Sequence, residues 1–149
     1  MARNMVYKYT ERLVRERALS TAIAPAAPAT LQSGVPVLLP DGPAVSLTAS
    51  GNATKTVTGA GNLPAGLTSL TYENGGVGNL PASASFAFDG TFEFAVTDAT
   101  TSTDQAVPVY ITTAGALTLT EGTNTLFGVT DYPRDYAKVA GRAPVRIGA

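Results

Sequence analysis

The chain has no cysteine, no histidine and no tryptophan. Without cysteine there are no disulfides, no thiolate nucleophile and no sulfur ligands. Without histidine, the commonest metal ligand and the only side chain that ordinarily titrates near neutrality are both missing. Charge is also scarce. Charged residues make up 14% of the 149, well under the roughly 25% of an average globular chain. Only 5 Phe and 6 Tyr supply aromatic bulk. The apolar residues are mostly Ala, Val and Leu. A core of small side chains stabilises less, at about 25 cal/mol per Å² buried, so a second copy or a partner is expected to supply part of the buried surface. No apolar run approaches the ~20 residues that cross a bilayer. The start Ala18–Ala24 is interrupted by Ser20 and Thr21, so no secretory leader is expected there.

What charge there is lies at the two ends. Residues 1–17 hold five cations against two acids, and residues 134–149 hold four against one. Between them, Lys55 stands against eight acids. Such segregation points to contact with another surface by the ends. The candidate binding residues are Arg3, Tyr7, Lys8, Tyr9, Arg12, Arg15 and Arg17 at the start. A secondary contact is assigned to Arg134, Lys138, Arg142 and Arg146. Nucleic acid is not the expected partner, because the acidic middle would repel a polyanion.

The chain divides at Gln32. Residues 1–31 form a basic N-terminal arm and a Pro/Ala spacer (AIAPAAPAT, residues 22–30), and residues 32–149 form the body. Within the arm, Met5–Tyr9 alternates as a strand would, while Glu11 and Arg15 are an i,i+4 pair that suits a short helix. Prolines keep the spacer extended and semi-rigid. The body carries nine short segments rich in Val, Thr or aromatics: Val35–Leu39, Ala44–Thr48, Thr54–Thr58, Leu67–Tyr72, Ser85–Val96, Val107–Ile111, Ala116–Thr120, Leu126–Thr130 and Pro144–Ile147. Turn clusters such as Asp41-Gly42 and Glu121-Gly122 separate them. This pattern predicts an all-β fold, a small antiparallel barrel or sandwich with an extended N-terminal arm.

Four of the five phenylalanines fall in one segment. Phe86, Phe88, Phe92, Phe94 and Val96 share a parity. Asp89-Gly90 would suit a hairpin turn, but a single long strand bent at Gly90 keeps all five on one face, and that strand is the expected core. Asp89 and Glu93 then fall on a solvated outer face. Gly61-Asn62-Leu63-Pro64-Ala65 returns at 78–82, and the two copies read as similar turns at strand ends. Asp98 and Asp104 bracket a polar loop without calcium-loop spacing. The glycine runs at 59–61 and 75–78 lack a following Lys-Ser/Thr. No serine has a histidine or motif-placed lysine as base. No catalytic, cofactor-binding or metal residue is assigned, and the chain is not expected to be an enzyme.

From Gly34 onward the order of short motifs resembles the small decoration, or cement, proteins of tailed-bacteriophage heads. The motifs are Ser33-Gly34-Val35-Pro36-Val37-Leu38, Phe88-Asp89-Gly90-Thr91-Phe92-Glu93-Phe94, Ala106-Val107-Pro108-Val109-Tyr110, Gly115-Ala116-Leu117-Thr118, Leu126-Phe127-Gly128-Val129 and Ala143-Pro144-Val145-Arg146-Ile147. Ala49–Ala84 and the first 32 residues are longer than the family pattern. The resemblance implies a β-tulip-like barrel made in the host cytoplasm and carried on the outer capsid surface of the virion. It implies a homotrimer that binds the major capsid protein and bridges its subunits, with no small-molecule substrate, nucleic acid or membrane as partner. The alternative reading is a phage fibre or tail domain, or a cell-surface carbohydrate-binding β module.

Overall fold

A computed structural model of the chain describes residues 14–50, 52–59, 63–74 and 82–148. Arg3, Tyr7, Lys8, Tyr9 and Arg12, and the strand expected at Met5–Tyr9, lie outside the described residues. The fold is all-β. Eleven strands appear among the described residues: β1 Val14–Ala18, β2 Pro36–Leu39, β3 Gly42–Ser46, β4 Asn52–Thr58, β5 Ser69–Asn74, β6 Ser83–Ala87, β7 Gly90–Ala95, β8 Pro108–Ile111, β9 Leu117–Thr118, β10 Thr125–Thr130 and β11 Arg142–Ile147. They form a four-stranded sheet (β1-β6-β3-β2), a five-stranded sheet (β7-β11-β10-β8-β9) and a separate two-stranded ribbon (β4-β5). Every named pairing is antiparallel. The five-stranded sheet curls until its ends touch. Val96, just past β7, bridges Leu117 of β9, and the Thr97 N–H donates to the Leu117 carbonyl at 3.0 Å.

The two larger sheets pack face to face over the main core. Leu38, Val45, Leu47 and Ala87 come from the four-stranded side, and Phe92, Phe94, Val109, Ile111, Phe127 and Val145 from the other. Phe94 meets Phe127 edge-on, with ring centroids 5.9 Å apart, a favoured aromatic geometry. The second face of the four-stranded sheet is covered as well. Val37, Leu39, Ala44, Ala84 and Phe86 pack there under Leu19, Ala22 and Leu31. Side chains alternate across a strand. The apolar run Val37-Leu38-Leu39 is therefore explained by a strand buried on both faces.

Residues 14–31 pack onto the body. Val14–Ala18 lies at the edge of the four-stranded sheet. It is a strand paired with β6, from Val14↔Ala87 to Ala18↔Ser83. A segment this short cannot hold a helix alone, and β6 offers it a hydrogen-bonding edge. The spacer runs along the body. Ala24 bridges Leu38 on the outer edge of β2, with N–H···O distances of 2.7 and 3.3 Å. Pro25 then lies against Gly115 of the opposite sheet, where a methyl group on Gly115 would come within 2.7 Å of the proline Cδ. Of the spacer alanines, Ala22 and Ala24 are buried.

The phenylalanine segment is corrected. It is neither one strand nor a hairpin. β6 ends at Ala87 and β7 begins at Gly90, and the two strands belong to different sheets. Gly90 has φ +124°, a backbone region favouring glycine, and the chain changes sheet there. Phe86 is buried in one core and Phe92, Phe94 and Val96 in the other, while Phe88 at the crossing is only half-buried. Pro144 sits inside β11, a central strand, where proline is unusual. Its carbonyl accepts the Asp131 N–H at 2.9 Å, and it lies just beyond the paired residues Val145 and Arg146 of the β10 ladder.

Candidate functional site

β1 terminates the four-stranded sheet, and among the described residues no strand pairs with its outer edge. Arg15 and Arg17 are opposite Phe86 and Ala84, so both lie on the sheet face that carries Phe88. Together with Asp41 and Phe88 they line an open hollow of about 310 Å³. Arg17 is held in place. Its Nε donates to Asp41 Oδ2 at 2.7 Å, its Nη2 lies 2.5 Å from the same oxygen, and its Nη1 donates to the Glu16 carbonyl at 2.8 Å. An exposed pair of this kind contributes about 0–1 kcal/mol, so it orients Arg17 more than it stabilises the fold. Arg15 is exposed at the lip of the hollow. The arrangement offers two guanidinium groups, an aromatic ring and an open strand edge.

The four C-terminal cations do not act as one patch. Arg142 forms an ion pair with Glu93, Nη2 to Oε1 at 2.6 Å. Tyr136 donates its hydroxyl to the other Glu93 oxygen at 2.5 Å. Lys138 donates to the Thr103 carbonyl at 2.6 Å and lies 4.5 Å from the centre of the Tyr132 ring, a cation–π contact. The Tyr132 and Tyr136 rings are 5.7 Å apart. Burial first, then the hydrogen bond to Glu93 and its negative charge, push the Tyr136 hydroxyl up to about 12. Burial likewise raises Tyr132. Glu93, expected on a solvated face, is therefore the anchor of the 132–142 loop. Only Arg134 and Arg146 of the four point outward without an internal partner among the described residues.

Two further carboxylates hold loops. Asp98 accepts from the Thr118 hydroxyl at 2.9 Å, the Leu119 N–H at 2.6 Å and the Thr120 hydroxyl at 2.9 Å. Burial opposes its charge, but these hydrogen bonds together outweigh it and the carboxyl titrates below its ordinary value. Asp131 accepts from Thr91 at 2.8 Å and from Gln105 at 2.7 Å, and Gln105 in turn accepts the Tyr132 N–H at 2.7 Å. Each carboxylate joins segments far apart in sequence, and no local motif announces them. Among the described residues no three acidic side chains converge as a metal site. A broader groove of about 470 Å³, lined by Val35, Pro36, Phe94, Leu117, Glu93 and Arg142, opens beside β7. Of the candidate binding residues, the fold brings Arg15 and Arg17 together with Phe88. The sequence reading missed the side chains around Glu93. No protein-family model, curated protein or solved structure matches the chain.

Proposed function

We propose that the protein is a virion structural protein. In this reading it is a decoration or cement protein that binds the outer surface of a tailed-phage head and stabilises the shell by bridging major capsid protein subunits. The order of motifs along the body supports this reading, and so does an all-β body with its cations at the margins. The observation that carries it is β1, an edge strand bearing Arg15 and Arg17 beside the Phe88 hollow. An extended segment of a partner can add to such an edge through main-chain hydrogen bonds. Two acids spaced i, i+2 on that segment would face the two arginines. The edge is poorly suited to its own copy. A two-fold antiparallel pairing centred on Glu16 sets Arg15 against Arg17 and Glu16 against Glu16, and like charges directly opposed are unfavourable. Individual exposed ion pairs are weak, so grip comes from many copies engaged at once.

Co-sedimentation with capsids tests this. The full chain is expected to pellet with capsids, and Arg15→Glu/Arg17→Glu is expected to stay folded and remain in the supernatant. Undiminished pelleting of the charge-reversed chain would refute the role of β1.

A further inference from the structure

The outer edge of β1 is not bare. Main-chain groups in an antiparallel ladder alternate between facing the partner strand and facing away from it. Leu19, the residue after Ala18, donates its N–H to the Ala82 carbonyl at 2.9 Å, on the β6 side. Counting back in twos, the main chain of Arg17 and Arg15 faces β6, and that of Ala18, Glu16 and Val14 faces outward. The pairing of β6 agrees. Ser85, opposite Glu16, turns its carbonyl the other way and accepts the Leu47 N–H at 2.8 Å. Two of the three outward carbonyls are taken by side chains of the same segment. Arg17 Nη1 donates to the Glu16 carbonyl at 2.8 Å, and the Thr21 hydroxyl donates to the Ala18 carbonyl at 2.7 Å. Asp41 clamps the same guanidinium from its other end, 2.7 Å from Nε and 2.5 Å from Nη2.

Capped carbonyls change what the edge accepts. An adding strand has to place its N–H groups on those carbonyls. A neutral strand displaces Arg17 and leaves the guanidinium with one acceptor fewer. A strand bearing a carboxylate gives the displaced guanidinium a new acceptor, and a charge-assisted hydrogen bond is roughly twice as strong as a neutral one. Charged side chains commonly guard exposed strand edges; here the guard is tied to the main chain itself. We propose that Arg17 is the specificity-determining residue of the β1 edge. It excludes uncharged strands and admits an extended segment whose carboxylate takes over the Nη1 donor. This role rests on the reading of β1 as the docking edge and adds what that edge refuses. Thr21 guards the Ala18 carbonyl with a neutral hydroxyl, which a strand N–H replaces at smaller cost, so it selects less.

Two short labelled peptides test this against the full chain by fluorescence anisotropy. One alternates Val and Thr; the other is the same peptide with Glu at two Thr positions spaced i, i+2. The wild-type chain is expected to bind the acidic peptide about tenfold or more tighter than the neutral one. Arg17→Met is expected to bind the neutral peptide about tenfold tighter than the wild type does and to lose the preference. Charge attraction alone gives a different result, in which Arg17→Met weakens the acidic peptide and leaves the neutral one unchanged; that result overturns the proposal. Thr21→Val is expected to gain less for the neutral peptide and to keep the preference. Arg17 is partly exposed and Thr21 exposed, so unchanged circular dichroism and melting are expected. Arg17→Lys, which keeps the charge but not the fork, is a second check and is expected to bind both peptides. Equal binding of the two peptides by the wild type, or no binding of either by any chain, also overturns the proposal. Failure of the cement reading looks different. A chain that selects the acidic peptide through Arg17 yet stays in the supernatant with capsids keeps the selection and loses the capsid as partner. A chain that pellets through Arg15 and Arg17 yet selects neither peptide keeps the docking edge and overturns the role of Arg17.

Discussion

Residues 14–31 and 52–74 are both extra to the motif order of the body, yet they meet opposite fates. The first segment is sewn into the molecule. β1 extends a sheet, Leu19, Ala22 and Leu31 cover its face, and Ala24 bridges to β2. The second stands apart as a two-stranded ribbon with its leucines in water. Both are poor in charge inside their apolar stretches, so composition does not separate them. What separates them is whether the body offers a complementary surface. The four-stranded sheet has a second apolar face to be covered, built from Val37, Leu39, Ala44, Ala84 and Phe86. No comparable face among the described residues receives the ribbon.

The sharpest way to break this comparison is truncation. A chain beginning at Gln32 loses β1 together with buried Leu19, Ala22, Ala24 and Leu31. It is expected to lose about 5 kcal/mol or more, by analogy with roughly 2–5 kcal/mol for each large buried side chain removed. That is enough to unfold a domain of marginal stability. A chain beginning at Val14 is expected to remain folded. Thermal denaturation followed by circular dichroism distinguishes the two, and a stable, cooperative transition from the Gln32 chain would show that the segment is dispensable.

Within the body, Phe92→Ala is expected to cost about 3–5 kcal/mol in denaturant titrations, because the ring is fully buried. Phe88→Ala, half-buried at the sheet crossing, should cost clearly less; equal losses would mean that Phe88 belongs to a core after all. Gly115→Ala tests the strap across the sheets. Its new methyl would press on Pro25 at a position with φ +86°, so a loss of about 1–3 kcal/mol is expected from overpacking and backbone strain. A neutral result would mean that the spacer moves aside freely.

The smallest expected effect is a titration. The Tyr136 hydroxyl is raised to about 12 from an ordinary value of 10.0. The folded state therefore holds this proton more tightly than the unfolded state. Its contribution to stability is fully present below pH 10 and is lost as pH rises towards 12. Tyr136→Phe should flatten that part of the stability–pH curve while leaving the rest unchanged. An ultraviolet titration in which all tyrosines ionise together near pH 10 would contradict the buried contact with Glu93.

How much of this was legible in the sequence follows from the range of each interaction. Strands with their own turn signals were legible: β2, β3, β4, β5, β8 and β10 fall close to their expected segments, and β9 and β11 overlap theirs. β1 was not, because Val14–Ala18 has no intrinsic preference and takes its form from β6, about seventy residues onward. The Phe86–Phe94 alternation was visible, but parity alone cannot say that successive strands join different sheets. The sheet change needed the φ of Gly90 and two separate cores. At the candidate site, Arg15 and Arg17 were visible as charge, whereas their neighbour Phe88 was assigned to the core. The Glu93 contacts were invisible because Tyr136 and Arg142 lie more than forty positions away.

The position of β11 bears on how the molecule is made. It lies between β7 and β10, inside the five-stranded sheet, although it is the last strand described. During synthesis, everything from β7 to β10 leaves the ribosome before its central neighbour exists. The nascent chain must hold Phe92, Phe94 and Phe127 without their final cover until residues 142–147 emerge. Closure is then a single late event driven by contacts distant in sequence, the kind of topology that folds slowly and leaves a half-made chain vulnerable to aggregation.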